Sequence, residues 1–541
     1  MMKLIVIAAC VLLVAAVSTT EPRAQQNPHR TATGAVTFET ADNCMACHNG
    51  MTTPAGEDVS IGHAWSASMM ANSARDPYWH AAVRRETVDH PSHAKAIENE
   101  CALCHMPMAT TAAHAAGREG EVFNWLPSRR GTDAERAMAA DGVSCTLCHQ
   151  IGPEKLGTPE SFVGGFVIAA PGADGRRMFG PVEVKPGLAS IMRSSTSVVP
   201  AEAKHMRQSE LCATCHTLIT SAFGPKGEVI GRLPEQVPYQ EWRHSAFVKE
   251  RSCQSCHMPA AESTAIASVL GEPREQMARH TFLGGNFFML RMLNRYRDEL
   301  GVTAQPALLE AAARATERQL HDDTASLSVV SAAAANQTLR LAVDVRNRTG
   351  HKLPTGYPSR RAWLHVTVRD AAGAAVFESG SVAASGAIAG NDGDAQALAF
   401  EPHYEEITRP DQVQIYEAVL ADVKGSPTTG LLTAVGYLKD NRLLPRGFDK
   451  RTAEADIAVH GAAATDPDFT GDGDRVRYAI PLGTAAGPFR VEVELRYQPI
   501  SFRWASNLRG YDAAEPRRFV GYYDAMASGS STVLAAVSVV P

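Results

Sequence analysis

From about residue 325 the chain alternates apolar and polar positions with a period of two. In "LRLAVDV", Leu339, Leu341, Val343 and Val345 fall on one side; "WLHVTVRD" repeats this with Leu364, Val366 and Val368, and "FRVEVELRY" with Phe489, Val491, Val493, Leu495 and Tyr497. Alternation over such lengths predicts half-buried strands. Gly, Pro and Asp turns between the runs predict an antiparallel, all-β, sandwich-like domain over 325–541. Earlier, from the lead-in "TATGAVTFET" to about Asp322, alternation is weak and short helical patches dominate. The clearest is "NFFMLRMLNRYRDEL", where Met289, Met292, Leu293, Tyr296 and Leu300 recur at helical spacing after a candidate Asn286 cap. A second helix, from Pro306 to Leu320, is Ala-rich with proline at its start. The expected fold class is multidomain: a mostly α and irregular domain over 36–322, then the β domain.

The N-terminus has one Lys, an unbroken apolar run from Leu4 to Val17, then small and polar residues. That run is too short to span a bilayer and matches the apolar core of a signal peptide, here residues 1–24, cleaved after Ser18/Thr19 or after Ala24. "IAAC" ending at Cys10 resembles a lipoprotein processing box, but the apolar run continues beyond it, whereas such a box closes the run. No later segment approaches the length of a membrane helix, about 18 apolar residues or more. The mature chain is therefore expected to be exported and periplasmic, with an extracellular or lipid-anchored location left open.

Cysteine placement changes the picture. Of 11 cysteines, ten form five copies of one string, C-x-x-C-H: Cys44, Cys47, His48; Cys101, Cys104, His105; Cys145, Cys148, His149; Cys212, Cys215, His216; and Cys253, Cys256, His257. Random placement of 11 Cys and 19 His in 541 positions gives about 0.008 such strings. In haem c each thiol adds to a vinyl group, the two intervening residues set the span, and the adjacent histidine meets the iron as proximal ligand. Zinc ribbons use two C-x-x-C pairs per metal and need no histidine after each second Cys. A redox dithiol accounts for one pair, not five. Five covalent haem c groups are the reading.

Each iron also has a sixth position, and 14 further histidines could fill it. His/His ligation gives lower potentials than His/Met. His244, in "EWRHSAF", lies nine residues before Cys253; "GHAWSASMM" repeats its Trp and Ser spacing with Trp65 and Ser68, but Ala67 stands where the histidine would be. His63, or Met69 or Met70, would serve there. His205 lies seven residues before Cys212, and His280 opens "HTFLGGN", whose glycines allow the backbone close to a flat ring. His90, His93 and His114 have weaker contexts, and His29 is close to the expected signal junction. His351, in "NRTGHKLPTGYPSRR", lies in the β half, so ligation through it would lock the two halves together. Each competes with an ordinary surface or hydrogen-bonded histidine.

Net charge is −6, which excludes a nucleic-acid partner, since phosphates demand a basic face. Redox partner proteins are the expected partners. "DPDFTGDGD" places Asp466, Asp468 and Thr470 like the start of a Ca2+ loop, but Arg477 stands at position twelve and Pro467 intrudes, which favours an ordinary acidic turn.

The segments "ECALCHMPM", "DGVSCTLCH", "SELCATCH", "CQSCHMP" and "HTFLGG", within about residues 40 to 300, resemble multihaem c-type cytochromes. The superfamily concerned includes the tetrahaem electron carrier of ammonia oxidisers and the nitrite- and hydroxylamine-handling multihaem enzymes. "GHKLPTG" is similar to a segment following the haem region in such cytochromes, which implies His351 as a distal ligand. The resemblance implies closely stacked macrocycles and an electron conduit. It leaves open a reductase of a small nitrogen or sulfur oxyanion. Pentahaem nitrite reductases carry lysine in place of one motif histidine, and all five strings here end in His. Self-assembly into a filament through shared haem ligands is the third reading.

Overall fold

The computed structural model describes residues 38–126 and 134–541. The expected signal segment, Cys10 and His29 lie outside the described residues. Five helices organise the site. α1 (Pro77–Asp89) starts where the Asp76 carboxylate accepts hydrogen bonds from the N–H groups of Tyr78 and Trp79, with Pro77 at the first helical position. α2 (Ala94–His105) ends in the second cysteine motif. α3 (Phe287–Arg295) is shorter than the apolar spacing predicts: the chain leaves the helix at Tyr296, and Arg297–Leu300 forms a separate turn closed by Gly301 in the left-handed region. α4 spans Pro306–Asp323, and α5 spans Ala514–Asp524.

A hairpin of β1 (Leu218–Phe223) and β2 (Val229–Gln236) lies among the helices. After α4 two larger sheets follow. One has β3 (Ala325–Ala335), β4 (Thr338–Asn347), β7 (Glu406–Ile407) and β11 (Asp474–Pro481), in the order β7-β11-β4-β3. The other runs β9-β8-β5-β12-β13, where β5 is Arg361–Arg369, β8 Ile415–Ala421, β9 Pro427–Thr428, β12 Arg490–Gln498 and β13 Thr532–Val539. β6 (Ala375–Ser379) pairs with β5, and β10 (Gly436–Asp440) with β8. β13 packs beside β3, bringing the sheets together.

Alternation is legible in the burial of β4 and β12, whose inward residues are Leu339, Leu341, Val343 and Val345, and Val491, Val493, Leu495 and Tyr497. β5 is covered on both faces, because Trp363 on its other side packs with Ile388, Val413 and Ile415. The second half is not all β: Phe502–Asn507 and α5 are helical, and α5 packs on α1. Phe519 and Tyr523 of α5 sit in the same apolar cluster as Phe288 of α3, Leu309 of α4, Val343 and Val493. That cluster crosses from the helical to the strand-rich part. Several smaller apolar clusters, separate from it, lie among residues 38–286, one of them joined by Leu432.

Candidate functional site

Each cysteine motif is a helical turn. In the first, third and fourth, the histidine N–H donates to the first cysteine's carbonyl at 3.0 Å (His48 to Cys44, His149 to Cys145, His216 to Cys212). The second and fifth lie inside helices Ala94–His105 and Cys253–His257. Positions i, i+3 and i+4 share one helix face, so both thiols and the imidazole of each motif project the same way. None of the ten described cysteines is in a disulfide.

Four of the five motif imidazoles are held in one tautomer. Nδ1 of His48 donates to the Ile266 carbonyl at 2.6 Å, that of His105 to Ser73 at 3.2 Å, that of His149 to Phe179 at 2.6 Å, and that of His257 to Leu283. A carbonyl only accepts, so Nδ1 carries the proton and Nε2 keeps its lone pair, the arrangement that orients a metal-binding histidine. Burial pushes His105 and His216 down to about 4 and also lowers His149, which keeps these rings neutral.

Two motif histidines face a second histidine. His149 and His280 have ring centres 6.3 Å apart with planes 18° from parallel; His257 and His351 are 6.2 Å apart at 15°. Metal–imidazole bonds of about 2.0 Å, plus about 1.1 Å from ring centre to nitrogen, put two rings about 6 Å apart across one metal. Nδ1 of His280 donates to the Ala278 carbonyl at 3.0 Å and that of His351 to Lys352 at 2.9 Å, leaving both Nε2 atoms free, and burial brings both rings to about 4.

The other sequence candidates are placed differently. Nε2 of His205 donates to the Ile151 carbonyl and that of His244 to Asp449, so each keeps only Nδ1 for a metal. His63 bonds Asp58 through Nδ1 with its side chain 39% exposed, and it follows Gly62, whose N–H donates to the His48 carbonyl. His90 and His93 lie against Phe223, and Nε2 of His114 bonds Asn99. Sequence reasoning missed Trp79, whose ring is stacked on His105 at 4.3 Å and 2°. Only the Asp-Pro start of α1 could have pointed to it.

The motifs adjoin one another. Cys145 lies beside Cys44, Cys104 beside Cys215, and Cys212 beside Cys253; Cys148 lies within electrostatic reach of Cys215 and Cys212. His216 likewise lies within reach of His105 and His257. The fourth motif thus meets the second, third and fifth, and the third meets the first.

The His351 loop is anchored from both halves. Glu241, fully buried, accepts from the Lys352 N–H at 3.0 Å and the Thr355 hydroxyl at 2.5 Å, and pairs with Arg442 at 3.0 Å. Asp440 of β10 receives Lys352 Nζ at 2.6 Å and Arg442 at 2.7 Å.

The acidic loop is tied to Arg477 and to its own backbone. Asp468 is neutralised by Arg477, the residue standing where a Ca2+ loop has Glu, and the Thr470 hydroxyl accepts from the Asp472 N–H. His403, Asp466 and Asp474 do bring potential metal-ligating atoms within 4.8 Å of one another. However, the amides of Gln414 and Asn441 both donate to His403 Nδ1, and each amide oxygen accepts a backbone N–H, which fixes the amide orientation. The His403 proton therefore sits on Nε2 and is donated to Asp466 at 2.9 Å, the tautomer opposite to that of the motif histidines.

No protein-family model and no curated protein matches the chain. Among solved structures it is similar to a penta-heme cytochrome c552 from Thermochromatium tepidum. The TM-score is 0.50 and the identity 17%, over 95% of this chain and 100% of that one. At that identity the likeness is one of fold, and the fold is that of a multihaem cytochrome.

Proposed function

We propose that the chain is an exported pentahaem c-type cytochrome that passes electrons between redox partner proteins. The observation that carries this reading is the pairing of His149 with His280 and of His257 with His351 at the spacing of two imidazoles on one metal. Bound haem would supply one-electron redox chemistry. Cys44 and Cys47, Cys101 and Cys104, Cys145 and Cys148, Cys212 and Cys215, and Cys253 and Cys256 would hold the five groups by thioethers. His48, His105, His149 and His257 would offer Nε2 to the irons, His216 would serve the fourth motif, and His280 and His351 would complete two of the sites. His63 has its Nε2 free as a third cap, while His205 and His244 would have to act through Nδ1. The helical turns bring neighbouring motifs together, and no helix among the described residues is long and apolar enough to cross a membrane.

The mass of the holoprotein, made in a host that attaches haem c, tests the cofactor: five haem masses are expected, and a bare polypeptide ends the proposal. Electron paramagnetic resonance tests the role, since an all low-spin protein carries electrons. The second reading, reduction of a small nitrogen or sulfur oxyanion, draws on His105. Its described ring neighbour is Trp79, and nearby His80 has Nε2 on the Ala74 carbonyl and Nδ1 on Arg518. One high-spin haem that exchanges ligands would favour that reading.

A further inference from the structure

A cavity of about 60 Å³ lies in the strand-rich part, between β8, β9, the 391–400 loop and the helix Phe502–Asn507. No motif cysteine or histidine lines it. At about 15 Å³ for each water, it has room for about four.

The charges on its wall do not cancel. Asp394 accepts from Nη1 and Nη2 of Arg361 at 2.9 Å each and from the Ile388 N–H at 2.8 Å, so that buried pair is complete. Glu417 is matched by Lys439 at 3.2 Å. Arg503 remains. Its Nε donates to the Gly393 carbonyl, and among the described residues its guanidinium has no other hydrogen bond and no ion pair. Nη2 of Arg503 is shut off from solvent without any partner. Leaving a donor of a charged group unmet costs more than leaving a neutral one, and such an atom marks the place of an ion or a water.

The other polar groups on the wall are arranged to donate. Thr429 Oγ1 already accepts from Arg85 Nη1 at 2.7 Å and from Asn507 Nδ2 at 2.8 Å, and Thr428 Oγ1 accepts from the Gly430 N–H at 3.0 Å. Both hydroxyl protons are left to give. Asn391 Oδ1 accepts from the Gly393 N–H at 2.9 Å, which fixes the amide and leaves Nδ2 as a donor. Water in the cavity would leave the Arg503 charge unmatched, and a cation would be repelled by it.

We infer that this cavity binds a small oxyanion, of about four or five heavy atoms by its volume, whose oxygens accept from Arg503, Thr428, Thr429 and Asn391. A carboxylate and an inorganic oxyanion share that chemistry, and a guanidinium meets either through two parallel N–H groups. The site lies apart from the cysteine motifs, so it does not depend on the haem reading above.

The test is a calorimetric titration of the holoprotein with sodium acetate and, separately, with inorganic phosphate, at constant ionic strength in chloride. One site per chain is expected for at least one of them; acetate alone assigns a carboxylate, phosphate alone an inorganic oxyanion. Arg503→Gln should weaken that binding about tenfold or more. The haem mass and visible spectrum should stay as they were, which separates this site from an open iron. In crystals of the unsubstituted protein soaked in the anion that binds, its density is expected beside Arg503, which decides the matter even where the variant does not accumulate. Failure of both anions to bind, an unchanged affinity in Arg503→Gln, or density elsewhere only, overturns the inference.

Discussion

At the scale of single residues, the position of one ring proton separates the histidines. His280 and His351 hold Nδ1 on a carbonyl, whereas His244 has Nε2 on the Asp449 carbonyl. His280→Ala and His351→Ala are each expected to turn one haem high-spin and leave four unchanged in the electron paramagnetic resonance spectrum. His244→Ala should likewise turn one haem high-spin, through loss of its Nδ1; an unaltered spectrum would remove His244 from the ligand set. The ten cysteines and five motif histidines were legible because attachment chemistry dictates a fixed local spacing. The facing histidines were legible only as a pool, since which of them meets which motif depends on packing between segments as far apart as 149 and 280.

Among elements, α1 carries Trp79 into the site, and its start depends on one cap. Asp76→Ala should cost about 1 kcal/mol of stability, seen as a lower denaturant midpoint. The loop bearing His351 depends on Asp440. Burial alone would raise that carboxyl, but Arg442 and Lys352 hold it well below the usual carboxylate range. A depressed folded value means the stabilisation is fully present above the unfolded value, about 3.9, and is lost as pH falls through the folded one. Acid unfolding should therefore begin below about pH 4. Asp440→Asn, which leaves Lys352 and Arg442 without their carboxylate, should cost about 3–5 kcal/mol; a loss under 1 kcal/mol in chemical denaturation would rule that anchor out. Strands β4, β5 and β12 were readable because alternation survives wherever one face is buried. α5 was not read, although Phe519, Tyr522 and Tyr523 stand at helical spacing in "AEPRRFVGYYD", because that window sits amid strand patterns.

For the molecule as a whole, the apolar side chains before α3 lie largely in several small clusters, while α3, α4 and the strands share one large one. A chain made without haem attachment should lose amide-exchange protection through most of 38–286 before it loses it in β4, β5 and β12. Uniform loss across both regions would show that the large cluster also depends on the cofactor. The composition announced two textures along the chain but not the cluster that joins them, since α3 and the β strands it meets are far apart in sequence. The crowding of three other motifs around Cys212 and Cys215 makes that turn a crossroads rather than a stop on a line. On the electron-transfer reading proposed above, charge entering near Cys101, Cys145 or Cys253 would have a common exchange at His216, so disabling that one station would strand the remaining four in separate pieces, whereas disabling the first motif would only shorten one arm.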